Sequence, residues 1–256
     1  MAQPMIERTD ADGIVTLRLA HGKVSAIDLE LMETLARAIA EIDAGEDARA
    51  VILTGTGSSF SAGLDLFRVV NGGRDYVEKL YPAMARMFID LFTLRRPVVA
   101  AINGHAIAGG CILAAICDVR LMASGKGRIG VPELLVGVPF PPAILELLRF
   151  AFPATTLQSL AYTGRTVLAD EALALRVVDE VVEPDALLTR ANEVARQLAA
   201  LPPKAFAMAK RQLRDVAIRR VRRYSAEFDA DVLDQWSEES TVAHIRAYLD
   251  RTVVKK

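Results

Sequence analysis

Pro97-Val-Val-Ala-Ala-Ile-Asn-Gly-His-Ala-Ile-Ala-Gly-Gly-Cys-Ile-Leu-Ala-Ala-Ile-Cys-Asp118 is the stretch on which the fold turns. Val98 to Ile102 is a short apolar run, the pattern of a strand buried on both faces. Asn103-Gly104 interrupts it. Gly109-Gly110 then opens an apolar helical run that closes near Asp118. A strand feeding a glycine pair at a helix start leaves backbone N–H groups without helical partners. Glycine also lets a ligand approach that backbone closely. Two readings follow. The turn holds negative charge developing on an oxygen, or it is a tight helix–strand contact that needs small residues. The stretch alone does not separate them.

Working outward, a second turn of the same design precedes it. Residues 50–54 read as a buried strand, and Gly55-Thr-Gly-Ser-Ser-Phe-Ser-Ala-Gly-Leu-Asp65 as the loop that follows. Two backbone donors from separate loops are what an oxyanion hole requires. Residues 68–73, with Asn71-Gly72-Gly73, read as mobile. Residues 75–94 read as a helix with Tyr76, Leu80, Met84, Met87 and Phe88 on one face, either a core face or a lid over a bound tail.

Upstream, residues 6–19 read as a hairpin turning at 10–13. Asp28 is the expected N-cap of a helix that carries Leu31, Leu35, Ile39 and Ile42 and stops at Gly45. Downstream come strands at 119–123 and 128–131, Pro132-Glu133, a stiff connection at 138–142 and a helix at 144–150. A short helix at 169–176 and a strand at 177–182 lead to helices at 184–200, 202–215 and 221 to the end. The early strand–helix rhythm predicts an α/β fold. We read 1–183 as the core and 184–256 as a helical region of the same domain.

The 256 residues, 52% hydrophobic, supply a sizeable core. A net charge of −1 gives no general attraction to nucleic acid. No apolar run is suited to a membrane span. The N-terminus lacks a basic region leading into an apolar one, so a cytoplasmic location is expected. Cys111 and Cys117 read as core thiols of a reducing compartment. His21, His105 and His244 are too scattered for a metal cluster, and no metal is expected.

Ser61, in Ser59-Phe-Ser-Ala-Gly63, approaches a nucleophile elbow but lacks its first glycine, and only His105 is available as a base. A serine in such a loop more often bonds local backbone. Glu133 lies among Ile129, Val131, Leu134, Leu135 and Val136. A carboxylate so placed has its pKa raised and can serve as acid or base; an exposed glutamate at a strand end is the plainer alternative. Asp118 is read as bonding nearby backbone. Arg211, Arg214, Arg219, Arg220, Arg222 and Arg223 are read as a solvated helix face or as partners in subunit salt bridges.

Together these segments resemble the crotonase, or enoyl-CoA hydratase/isomerase, family from about Ile14 to Met208. The resemblance is carried by Phe60-Ser-Ala-Gly-Leu-Asp-Leu66, by Ala101-Ile-Asn-Gly-His-Ala-Ile-Ala-Gly-Gly-Cys111 with Cys117-Asp118, and by Pro132-Glu133. It implies a spiral of ββα repeats with a helical C-terminal trimerisation region, hence a homotrimer or a hexamer. It implies an acyl-CoA thioester substrate, coenzyme A entering as part of that substrate and no separate cofactor. By motif position the oxyanion hole is the N–H of Leu64 and of Gly109. Val24, Ala26, Ala62, Asp65, Leu66 and Gly110 match positions that contact the substrate and its CoA.

The sequence departs from the family's hydratases at one position. They carry a second glutamate after the glycine turn, where this chain has Ile112; the Pro-Glu glutamate is kept as Glu133. Isoleucine can neither hold nor deprotonate water. One-carboxylate members resembling this pattern are Δ3,Δ2-enoyl-CoA isomerases. The dienoyl-CoA isomerases carry an aspartate eight positions after the Pro-Glu glutamate, where Pro141 stands here. The expectation is an isomerase with Glu133 as sole acid/base. An unusual hydratase and a non-catalytic acyl-CoA binder are the alternatives.

Overall fold

The computed structural model describes residues 4–252. It opens with the hairpin β1 (Ile6–Ala11) and β2 (Ile14–Leu19), paired antiparallel from Ile6↔Leu19 to Ala11↔Ile14. The turn is the two residues Asp12-Gly13, both at positive φ (51° and 76°), a geometry that matches strand twist. Helix α1 (Leu29–Ala44) follows, with the Leu31 N–H donating to the Asp28 carboxylate at 2.9 Å, as the N-cap reading predicts.

Three ββα turns then repeat. They are β3 (Ala50–Thr54), β4 (Ser59–Ser61) and α2 (Leu66–Thr93); β5 (Val98–Ile102), β6 (His105–Ile107) and α3 (Gly109–Ala115); and β7 (Val119–Ala123), β8 (Ile129–Gly130) and α4 (Glu133–Val136). In each turn the first strand enters a six-stranded sheet and the second a four-stranded one. Helices α5 (Pro142–Ala151) and α6 (Ala154–Thr163), strand β9 (Thr166–Val167), helix α7 (Ala169–Ala174) and strand β10 (Glu180–Val182) complete the sheets. Their orders are β1-β2-β3-β5-β7-β10 and β4-β6-β8-β9. Asn103 ties successive turns together: its Oδ1 accepts from the Gly55 N–H at 2.9 Å and its Nδ2 donates to the Gly57 carbonyl at 3.0 Å.

Strand β5 is apolar at every position and β3 at all but Thr54, because both faces of the large sheet are covered there. Val51, Leu53, Val98, Ala100 and Ile102 face the main core. Ala50, Ile52, Val99 and Ala101 face α8 (Leu187–Ala199), which packs Leu187, Ala191, Val194 and Ala195 onto them. Helices α9 (Pro203–Ser237) and α10 (Glu239–Thr252) finish the chain; α9 packs on α5 and α2, and α10 on α2, α9 and α4.

Four readings are corrected. The 55–65 loop contains β4, paired with β6. Residues 68–73 belong to α2, which is interrupted only at Gly73 (φ 58°, ψ −153°). The helices read at 202–215 and from 221 are one helix, α9, up to Ser237. Arg214 is buried rather than solvated: it pairs with Asp118 at 2.8 Å and lies 4.2 Å over the Phe92 ring. Asp118 also accepts from the Val98 N–H at 2.7 Å and from Lys210 at 2.6 Å, which agrees with its reading as a structural acceptor.

Among the described residues no helix is long and apolar enough to cross a membrane. No grouping of three or more His, Cys, Asp or Glu side chains among them suits a metal ion.

Candidate active site

The segment leaving β4 is laced to residues 24–27. Ala62 N–H donates to the Val24 carbonyl (3.0 Å), Ile27 N–H to that of Gly63 (2.8 Å) and Asp65 N–H to that of Ile27 (3.0 Å). Gly63 sits at φ +82°, and a Cβ there would lie 2.6 Å from the Ile107 carbonyl oxygen and 3.0 Å from the Gly109 nitrogen. Only glycine fits both the backbone angle and the space. Asp65 caps α2, accepting from the Arg68 N–H at 3.1 Å. The Leu64 N–H has no hydrogen-bond acceptor among the described residues.

The second donor comes from the stretch that opened the sequence reading. Ala108 N–H bonds the Gly130 carbonyl at 2.9 Å, and Ala108 itself is held at φ 51°, ψ −121°. Such a conformation costs a non-glycine residue about 1–3 kcal/mol and survives only where its surroundings enforce it. It aims the start of α3, so that Gly109 N–H begins the helix with no acceptor among the described residues. The two loops touch across Gly63 and Gly109.

A cavity of about 440 Å³ lies against both donors. Leu64, Gly109, Glu133, Val24, Ala26, Ala62, Asp65 and Leu66 all line it. Gly110 does not; it is packed against Ser61 on the far side of the turn, where a Cβ would collide with the Ser61 backbone. In this structure Gly110 serves packing of α3 against β4.

Glu133 opens α4, only 8% exposed, and its Oε2 has no hydrogen-bond partner among the described residues. Burial without a compensating cation pushes its pKa up to about 8. Ile112, 4% exposed, lines the same cavity. Asp65 is the other carboxylate on the wall, and it is engaged as a helix cap.

Ser61 is completely buried; its Oγ donates to the Ser25 carbonyl at 2.8 Å and accepts from the Gly63 N–H at 3.2 Å. His105 Nδ1 accepts from the Arg128 N–H at 3.3 Å instead of meeting Ser61. The nucleophile–base pair of a serine hydrolase is not assembled.

A family model described as enoyl-CoA hydratase/isomerase matches residues 9–253. The chain belongs to the enoyl-CoA hydratase/isomerase family. It is 30% identical to the short-chain-enoyl-CoA hydratase of Clostridium acetobutylicum over 210 residues, 82% of this chain and 80% of that protein. It is 26% identical to the mouse mitochondrial enoyl-CoA delta isomerase 1 over 254 residues, 98% of this chain and 88% of that protein. The crystal structure of the human mitochondrial Δ3-Δ2-enoyl-CoA isomerase superposes with a TM-score of 0.93 at 25% identity, covering 99% of this chain and all of that one. The ββα spiral is thus the crotonase fold.

Several lining residues of this family member were not identified from sequence. Of the α2 face, Met84 and Phe88 reach the cavity, while Leu80 and Met87 are core. Trp236, Tyr248 and Leu249 come from α9 and α10. No local pattern marks them, since only the folded path brings residues a hundred positions apart onto one wall.

Proposed function

We propose that this protein is an acyl-CoA isomerase that moves a double bond from the 3 to the 2 position of an enoyl-CoA. The thioester oxygen accepts from the Leu64 and Gly109 N–H groups, which strengthen as that oxygen becomes an enolate. Ionised Glu133 takes a proton from C2, and the electron pair spreads through a dienolate. The same carboxyl returns the proton at C4, and the double bond settles between C2 and C3. Val24, Ala26, Ala62, Asp65 and Leu66 flank the CoA path. No cofactor is required, because no electrons enter or leave. A homotrimer, alone or paired as a hexamer, is part of the proposal; Leu213 and Val216, exposed one turn apart on α9, suit a subunit contact.

The observation that carries the reading is the single uncommitted carboxylate. Glu133 Oε2 has no side-chain partner in the cavity, and the apolar Ile112 stands where a hydratase would place its second glutamate. Pro141, also on the cavity wall, offers no carboxylate for dienoyl chemistry. Likeness to the isomerase over 98% of the chain supports the same reading. Likeness to the Clostridium hydratase favours a second one, water addition by Glu133 alone.

A product assay on 2- and 3-enoyl-CoA thioesters separates them. The isomerase reading requires conversion of 3-enoyl-CoA, with kcat lowered about 10²–10⁴-fold in Glu133→Gln. Hydration of 2-enoyl-CoA without double-bond transfer would select the second reading. Tight acyl-CoA binding with no turnover of either would leave a binding protein.

A further inference from the structure

The wall of the cavity supplied by α10 has no part in the chemistry above. Its seat is specific. His244 Nε2 lies 3.2 Å from the Leu135 carbonyl oxygen. The same ring packs on Gly137, where a Cβ would come within 2.6 Å of the His244 Cδ2. Gly137, at φ +90°, ends α4, the one-turn helix that Glu133 begins. One turn beyond His244, on the same face of α10, is Tyr248. It is half-buried and lines the cavity together with Glu133.

The phenol O–H of Tyr248 has no hydrogen-bond partner among the described residues, and neither has Glu133 Oε2. A phenol can donate and an ionised carboxylate only accepts. Both face a space whose other walls are largely apolar: Met84 and Phe88 from α2, Trp236 from α9, and Ile112. Glu133 Oε2, buried without a partner, carries the cost of an unmade hydrogen bond, and a donor that reaches it from the same cavity removes that cost.

We propose that Tyr248 is a positioning residue for Glu133, its O–H donating to the carboxylate once that group ionises and turning the other oxygen toward C2 of the substrate. This rests on Glu133 acting as the base. Tyr248 keeps its own proton throughout: the proton that leaves C2 goes to Glu133 and from Glu133 to C4. Burial, and then the Glu133 charge, hold the phenol above its ordinary pKa, so it remains a donor over the working range. The other ionisable groups around the pair are Cys111 behind Glu133, His244 against the end of α4, Arg251 on α10 and Asp65 on the cavity wall. Neither α2 nor α9 presents an ionisable side chain to the cavity.

The test is Tyr248→Phe, which keeps the ring, with Tyr162→Phe on the exposed surface as control. We expect the ascending limb of kcat/KM to move to higher pH by about one unit, kcat at pH 7 to fall roughly 10–100-fold, and KM to stay within about twofold. 3-Fluorotyrosine at position 248, a stronger donor of nearly the same shape, should move the limb to lower pH. A limb unmoved in both variants, or a change in KM alone, overturns the proposal.

If wild-type protein hydrates 2-enoyl-CoA instead of isomerising 3-enoyl-CoA, the isomerase reading fails, and the same limb is read on hydration. If it turns over neither, the Glu133 titration is followed by 13C NMR of labelled glutamate carboxyls, wild type against Tyr248→Phe. An upward shift supports the pairing, and identical curves overturn it.

Discussion

At neutral pH the Glu133 carboxyl, pushed up to about 8 by burial, carries its proton in most substrate-free molecules. A base must ionise before it acts, so kcat/KM should climb about tenfold per pH unit below 8 and level off above it; a stopped-flow pH series checks this. The same group links to stability. An unfolded glutamate ionises near its ordinary 4.5. The native state therefore holds the proton more tightly, and the stability this confers is complete below 4.5 and lost as pH rises through 8. Glu133→Gln, which has no proton to lose, should gain on wild type between pH 5 and 8, by roughly a few kcal/mol at pH 9 in urea melts. Ile112→Glu places a second carboxylate in the cavity and should create measurable hydration of 2-enoyl-CoA while lowering Tm. Glu133 was legible in sequence because its apolar neighbours announce burial, whereas Tyr248 is followed by Asp250 and Arg251 on an ordinary amphipathic helix.

Elements were read well where one hydrophobic period ran long enough. The strands β3, β5 and β7 and the helix α1 fall where the pattern puts them. Strands β4 and β6 have three residues each, too few for a period to register. Helix α6 lies between Pro153 and Gly164 (φ 60°), a usable start and stop that no long apolar period joins. In α9, Arg219, Arg220, Arg222 and Arg223 interrupt the apolar spacing, so its sequence pattern resembles two helices; those residues are good helix formers and carry it through. What fixes α9 is Asp118, which receives Lys210, Arg214 and the Val98 N–H. Burial, with Arg214 beside it, pulls Lys210 down to about 8 even against the opposing charge of Asp118. Asp118→Asn leaves two buried cations without a counter-charge and should cost about 3–5 kcal/mol in chemical denaturation.

Across the whole molecule, α9 and α10 add Ala217, Val232, Trp236, Ile245 and Leu249 to the main core of the spiral, while α8 closes a second, smaller core on the other face of the large sheet. The repeating α/β rhythm was visible in sequence. The way each turn splits its two strands between two sheets was not, because strand partners are set by long-range packing. Cys111 and Cys117 report on this interior. Both are fully enclosed, and burial raises both thiols, Cys117 to about 12. Labelling by a thiol reagent at pH 8 should be negligible in the native protein and should follow the global unfolding transition in denaturant.

In the proposed mechanism the oxyanion hole is made of peptide N–H groups, and this has a bearing on heredity. A codon change at position 64 alters a side chain but leaves its N–H in place, so half of the catalytic apparatus is screened from most point mutations. The proton-moving half has no such shelter, resting on position 133 with position 112 beside it in the cavity. A lineage with this fold can therefore exchange one reaction for another by substitutions at very few codons while its anion-binding frame passes on unaltered.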